Sequence, residues 1–101
     1  MSQPDELLAI ASTATGLAAS GEIDAHTAPS LATAIDAAGP DVDLDLSGVE
    51  FVDSSGLRVL IDARQRLAEA GGGLRIVALS EPVRRLLEIS GVSDYLGSPE
   101  G

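Results

Sequence analysis

The stretch of this chain best suited to chemistry is Asp53-Ser54-Ser55-Gly56, where a carboxylate is followed by two hydroxyls and a glycine. It falls between an alternating apolar segment and a helical period that resumes at Leu57. Its backbone N–H groups are therefore those left without partners at a helix N-terminus. Such donors, together with the positive end of the helix dipole, suit an anion, including a phosphate carried on Ser54 or Ser55. Asp and Ser are also the ordinary residues of an N-cap, and a strand–helix turn often contains Gly. Taken alone, the four residues favour plain capping.

Other polar groups have simpler explanations. Glu22 and Asp24 follow Gly21 in what reads as a strand–helix loop, where capping and solvation account for them. His26 reads as an exposed first-turn residue, and Arg84-Arg85 as a solvated helix face. Gly71-Gly72-Gly73 lacks the lysine and spacing of a phosphate loop and follows a helix instead of preceding one, so it is a turn. A hydrolase built on Ser54 and His26 is disfavoured, because no Gly-x-Ser-x-Gly elbow surrounds the serine. A receiver domain with Asp53 as phosphoacceptor needs an acidic pair after the first strand and a late lysine; all six basic residues are Arg. With no cysteine and one histidine, disulfides, thiolate metal sites and a histidine-rich metal centre are excluded, and no cofactor is expected.

The elements that must position this run are legible from periodicity. Leu7–Ala11 and Leu17–Ala19 flank Ser12–Gly16 and read as a hairpin. Ala28, Leu31, Ala32, Ile35 and Ala38 share a helical face, with Asp24 or Thr27 as the cap and Gly39-Pro40 as the stop. Val42, Leu44 and Leu46 then alternate with Asp43, Asp45 and Ser47, giving a strand with one apolar and one acidic side, open on one face or near an edge. After the Asp-Ser-Ser-Gly run, Leu60, Ile61, Leu67 and Ala68 mark a second helix that ends at Gly71. Leu74, Ile76 and Val77 mark another strand. Ser80 caps a third helix with Pro82 in its first turn, Val83, Leu86 and Leu87 on its buried face, and Gly91 at its end. Val92–Leu96 reads as a last strand or turn, and residues 97–101 as a frayed tail. The order β-β-α-β-α-β-α predicts one α/β domain over residues 1–101, with a mixed sheet of four to five strands packed with three to four helices.

At 101 residues the chain fits a single core. Apolar residues make up 45%, too many for an acidic disordered tail, and with Phe51 and Tyr95 the only aromatics the core must be aliphatic. The formal charge of -10 repels phosphate backbones and favours a partner with a basic surface, so direct nucleic-acid binding is not expected. No apolar run approaches a membrane span, and Met1–Leu8 carries Asp5 and Glu6 without a basic residue, unlike a secretory signal. A soluble, cytoplasmic, non-enzymatic protein is expected.

Three separated segments carry a family resemblance. Gly21-Glu22-Ile23-Asp24 followed by Thr27-Ala28, then Phe51-Val52-Asp53-Ser54-Ser55-Gly56-Leu57, then Leu79-Ser80-Glu81-Pro82-Val83-Arg84-Arg85-Leu86-Leu87 resemble the STAS domain of bacterial anti-sigma factor antagonists. The resemblance implies that Ser54, the first hydroxyl after the motif's Asp, is phosphorylated, with Ser55 a weaker candidate. It implies that the kinase is the partner itself, an ATP-dependent anti-sigma factor serine/threonine kinase. The unphosphorylated antagonist sequesters that kinase and frees the sigma factor, the phosphorylated form lets go, and a separate serine phosphatase resets it. Glu22, Asp24, Asp53, Ser54, Ser55, Gly56 and Arg58 become candidates for the partner surface, with Arg58 a departure that tunes partner choice. The alternative within the same family is an adaptor subunit of a transport ATPase or another signalling assembly, docking through this loop without phosphorylation.

Overall fold

Alternation of apolar and acidic residues from Asp41 onward produces the longest strand of the protein, and the other elements assemble around it. In the computed structural model, which describes residues 7–91, the chain runs β1 (Leu8–Ser12), β2 (Gly16–Ile23), α1 (Ala28–Ala37), β3 (Asp41–Val52), α2 (Ser54–Glu69), β4 (Gly73–Leu79) and α3 (Glu81–Ser90). The predicted elements at Val92–Leu96 and the tail 97–101 lie outside the described residues. The sheet order is β1-β2-β3-β4. A tight turn joins β1 antiparallel to β2, with the Thr13 N–H donating to the Gly16 carbonyl at 2.8 Å. The β2–β3 and β3–β4 pairs are parallel, so each needs a crossover, and α1 and α2 supply them.

The strands bury one face. Leu17 and Ala19 of β2, Val42, Leu44 and Leu46 of β3, and Leu74 and Ile76 of β4 form a single core with Ala28, Leu31 and Ile35 of α1, Leu60, Ala63 and Leu67 of α2, and Val83 and Leu87 of α3. On the other face Asp43 and Asp45 are half-buried and Arg75 and Val77 exposed. Arg75 ties this face together, with its guanidinium 2.6 Å from Asp43 and 3.9 Å from Asp41. The alternation in β3 thus reports a sheet open on one side. The strand itself is interior, flanked by β2 and β4.

Three details differ from the periodic reading. Strand β2 runs on to Ile23, so Glu22 belongs to a strand and not to a strand–helix loop. Gly21 permits this by adopting φ +103, where any Cβ would meet the Leu7 carbonyl oxygen at 2.1 Å. Ala38 and Ala68, expected on buried helix faces, are exposed, and Ile61 is half-buried. The buried stripe of α2 instead begins at Gly56 and passes through Leu60, Ala63 and Leu67. Ser80 stands at the N-cap of α3 as expected, but its side chain makes no capping bond.

Candidate functional site

Both parallel crossovers begin at the same end of the sheet, which brings the segments after β2 and β3 side by side. Ile23 pairs with Val52, and the Asp53 N–H donates to the Ile23 carbonyl at 3.2 Å. Helix α2 therefore starts where β2 ends. Asp53 is its N-cap in extended conformation, with the carboxylate Oδ1 accepting from the Ser55 N–H at 2.8 Å. The Asp53 carbonyl accepts from the N–H groups of Gly56 (3.0 Å) and Leu57 (3.2 Å). Ser54, Ser55 and Gly56 are thus the first turn of α2 itself.

The three residues of that turn face differently. Ser54 is exposed, Ser55 half-buried and Gly56 buried. A Cβ on Gly56 would come within 2.6 Å of Ile23 Cγ2 and 2.8 Å of Val52 Cγ2, so only glycine lets the turn seat this closely on β2 and β3. Seating the glycine turns the Ser54 hydroxyl outward. Arg58, also exposed, lies one turn further along. With Ser54, Ser55, Leu57, Ile61 and Asp62 it lines an open groove on the outer surface of α2.

On the neighbouring segment, the half-buried Glu22 lies opposite Phe51 in the β2–β3 register. Asp24 and the buried Thr27 hold the turn into α1 reciprocally. The Asp24 N–H donates to Thr27 Oγ1 at 2.9 Å, and Asp24 Oδ1 accepts from the N–H groups of His26 (2.9 Å) and Thr27 (3.0 Å). Hydrogen bonding from the Thr27 backbone holds the Asp24 carboxyl below its ordinary value of 3.8, with smaller contributions from His26. Thr27 Oγ1 in turn donates to the Glu22 carbonyl at 2.9 Å, tying this turn to the end of β2. Of the two caps that sequence reasoning named, Thr27 stands at the N-cap of α1 but makes no side-chain capping bond to the helix, while the Asp24 carboxylate caps the turn that leads into it.

Among the described residues no group of His, Cys, Asp and Glu is arranged to hold a metal ion. The end of the sheet offers instead an exposed hydroxyl, a rigid turn beneath it, and carboxylates and an arginine around it. Such a surface can accept a phosphoryl group or meet a partner. Sequence reasoning missed Phe51, 47% exposed beside this end, because the register shifts in β3 obscure which way it points. Ile61 and Asp62 were also missed as groove residues, although their helical spacing from Leu57 and Arg58 was a usable signal.

The family model described as "Mlab, STAS domain" matches residues 7–97. The chain is 38% identical over 80 residues to the anti-sigma-B factor antagonist of Listeria monocytogenes, covering 75% of this chain and 70% of that protein. It is 34% identical over 79 residues to the anti-sigma-B factor antagonist of Bacillus subtilis, covering 75% and 72%. Among solved structures, an anti-sigma factor antagonist from Mycobacterium paratuberculosis superposes with a TM-score of 0.73 at 32% identity, covering 95% of this chain and 87% of that one. The anti-sigma factor antagonist SpoIIAA in its unphosphorylated form superposes with a TM-score of 0.63 at 25% identity, covering 87% and 84%. Sequence and overall superposition agree, and the chain belongs to the STAS-domain family.

Proposed function

We propose that this protein is an anti-sigma factor antagonist that works as a phosphoswitch. Unphosphorylated, it binds an ATP-dependent anti-sigma factor serine/threonine kinase and thereby frees the sigma factor. The kinase transfers the γ-phosphoryl group of ATP to Ser54 Oγ, ADP leaves, and the hydroxyl proton passes to the kinase. The phosphoprotein dissociates, and a serine phosphatase resets it. In this role the chain supplies a substrate serine and a docking surface and catalyses nothing itself. The observation that carries the reading is the exposed Ser54 hydroxyl on the rigid first turn of α2, in a chain whose relatives are named anti-sigma factor antagonists.

The physics of release is electrostatic. A phosphate adds about -1.5 to -2 charges at neutral pH, beside Asp53, on a chain already at -10. If Ser54 packs against the partner, that charge must be desolvated there. Coupling between close interface charges reaches several kcal/mol, and ~3 kcal/mol is already more than a hundredfold in affinity. The cap and the Gly56 contact fix the turn, so the switch acts by local blocking without refolding. Glu22, Asp24, Asp53, Ser55 and Arg58 would frame the docking surface around Ser54, with Gly56 buried beneath it.

Capture of partners from native lysate with wild type, Ser54→Ala and Ser54→Asp tests this reading, with mass spectrometry of bound proteins and of position 54. An ATP-binding anti-sigma kinase held by the first two and not the third, with phosphate on Ser54, is the expected result. Equal capture of a transport ATPase by all three, with Ser54 unmodified, would replace the switch with an adaptor role.

A further inference from the structure

We propose that Arg58 is the intramolecular partner of a phosphate on Ser54, so that phosphorylation adds negative charge and also withdraws a cation from the docking surface. The inference rests on the reading of Ser54 as the phosphorylated residue.

Ser54 is the first residue of α2 and Arg58 lies four residues on. Residues at this spacing share a helix face with Cβ atoms about 5–6 Å apart, and an anion N-terminal to its cation is the favourable order. Both residues are exposed and both line the groove on the outer surface of α2. The guanidinium is uncommitted. Arg66, Arg75, Arg84 and Arg85 each pair with a carboxylate, whereas Arg58 has no ion-pair or hydrogen-bond partner among the described residues.

Its competitors are weaker than a phosphate. Asp62 lines the same groove four residues beyond Arg58, but in the less favourable order, with the cation N-terminal to the anion. The Asp53 carboxylate is engaged in capping the Ser55 N–H, and Glu22 is half-buried in β2. A phosphate dianion presents three acceptor oxygens and more than one unit of charge, matching the planar guanidinium fork. Phosphorylation therefore turns Arg58 back along its own helix toward Ser54. A partner that uses Arg58 to meet a carboxylate loses that contact in the same event that introduces the repulsive charge.

The test installs phosphoserine at position 54 of the full chain during synthesis, so that no kinase is needed, and titrates the phosphate by phosphorus NMR. Wild type, Arg58→Lys and Arg58→Gln are compared, with amide spectra of the unphosphorylated forms confirming that each is folded. A nearby cation favours the dianion and so lowers the second phosphate ionisation. The midpoint in wild type should lie about 0.3–0.7 pH unit below that of Arg58→Gln, the shift expected of an exposed pair. Arg58→Lys should fall between them, and the gap should narrow in high salt. The Arg58 Nε resonance of the wild-type chain should also move on phosphorylation, a readout that needs no variant. Coincident midpoints in wild type and Arg58→Gln, with an unmoved Nε resonance, would overturn the proposal. Because the phosphate is installed synthetically, a lysate experiment that finds Ser54 unmodified overturns the switch reading and leaves this titration intact.

Discussion

The carboxylate of Asp53 closes the first turn of α2, and the glycine three residues later lets that turn sit on the strands beneath it. Removing the cap with Asp53→Ala leaves the Ser55 N–H without its acceptor and should cost about 1 kcal/mol, while Asp53→Asn retains most of the stability. Urea unfolding of the two variants checks the difference. At Gly56 two effects oppose each other. Alanine improves helix propensity by up to about 1 kcal/mol, but overpacking commonly costs about 1–3 kcal/mol. With Cβ contacts of 2.6 and 2.8 Å against Ile23 and Val52, overpacking wins, and Gly56→Ala should lower the melting temperature. An unchanged or higher melting temperature would show that the strands can shift to admit the methyl group. The Asp-Ser-Ser-Gly run was readable in advance because capping is local chemistry written in adjacent residues. The orientation of Phe51 was not, since it depends on how β2 and β3 align.

At the scale of elements, the hydrogen-bonded turns make the fold sensitive to acid. Asp24 holds the entry to α1. Asp45 accepts from the Ser47 N–H at 2.8 Å and from Ser47 Oγ at 2.6 Å, beside the irregular pairing of β3 with β2. Both carboxyls are held below their ordinary value of 3.8, Asp24 chiefly by the Thr27 backbone and Asp45 chiefly by the Ser47 hydroxyl. A depressed carboxyl stabilises the fold above its unfolded pKa, and that contribution disappears as pH falls through the lower folded value. Asp24→Asn keeps an acceptor but cannot titrate, so its urea midpoint should fall less than that of wild type between about pH 5 and pH 2.5. Equal losses would mean that the Asp24 bonds do not survive in solution. The helices and the part of β3 over residues 42–46 were legible because their periods run on over several residues. The continuation of β3 to Val52 was not, since its alternation breaks at Ser47-Gly48 and its pairing with β2 is irregular. The length of β2 was not. Gly21 reads locally as a breaker, and only pairing with β1 and β3 carries the strand through it.

For the whole molecule, charge is the dominant long-range property. Six arginines stand against 16 acidic residues, and the exposed bridges such as Arg66 to Asp36 are each worth little. Self-repulsion then outweighs the pairs, and added salt should stabilise the protein by screening it. A melting temperature that rises between low and moderate sodium chloride is the expected outcome. A fall would mean that the ion pairs contribute more than the net charge opposes. The two-layer architecture was predictable from element order, because parallel neighbours require crossovers and α1 and α2 are the segments available. That α1, α2 and α3 share one core on a single face of the sheet required the structure.

The turn between β1 and β2 lies at the far end of the sheet from Ser54. Thr13, Ala14 and Thr15 are exposed there, and β3 runs from that end to the start of α2 along a molecule whose longest extent is 37 Å. This separation offers a handle for engineering. A fluorophore, an affinity peptide or an inserted reporter domain can be attached at Ala14 without crowding the serine end, since turn tips tolerate insertion far better than strands. A sensor built this way would report occupancy of the opposite pole while leaving Ser54 and its neighbours untouched.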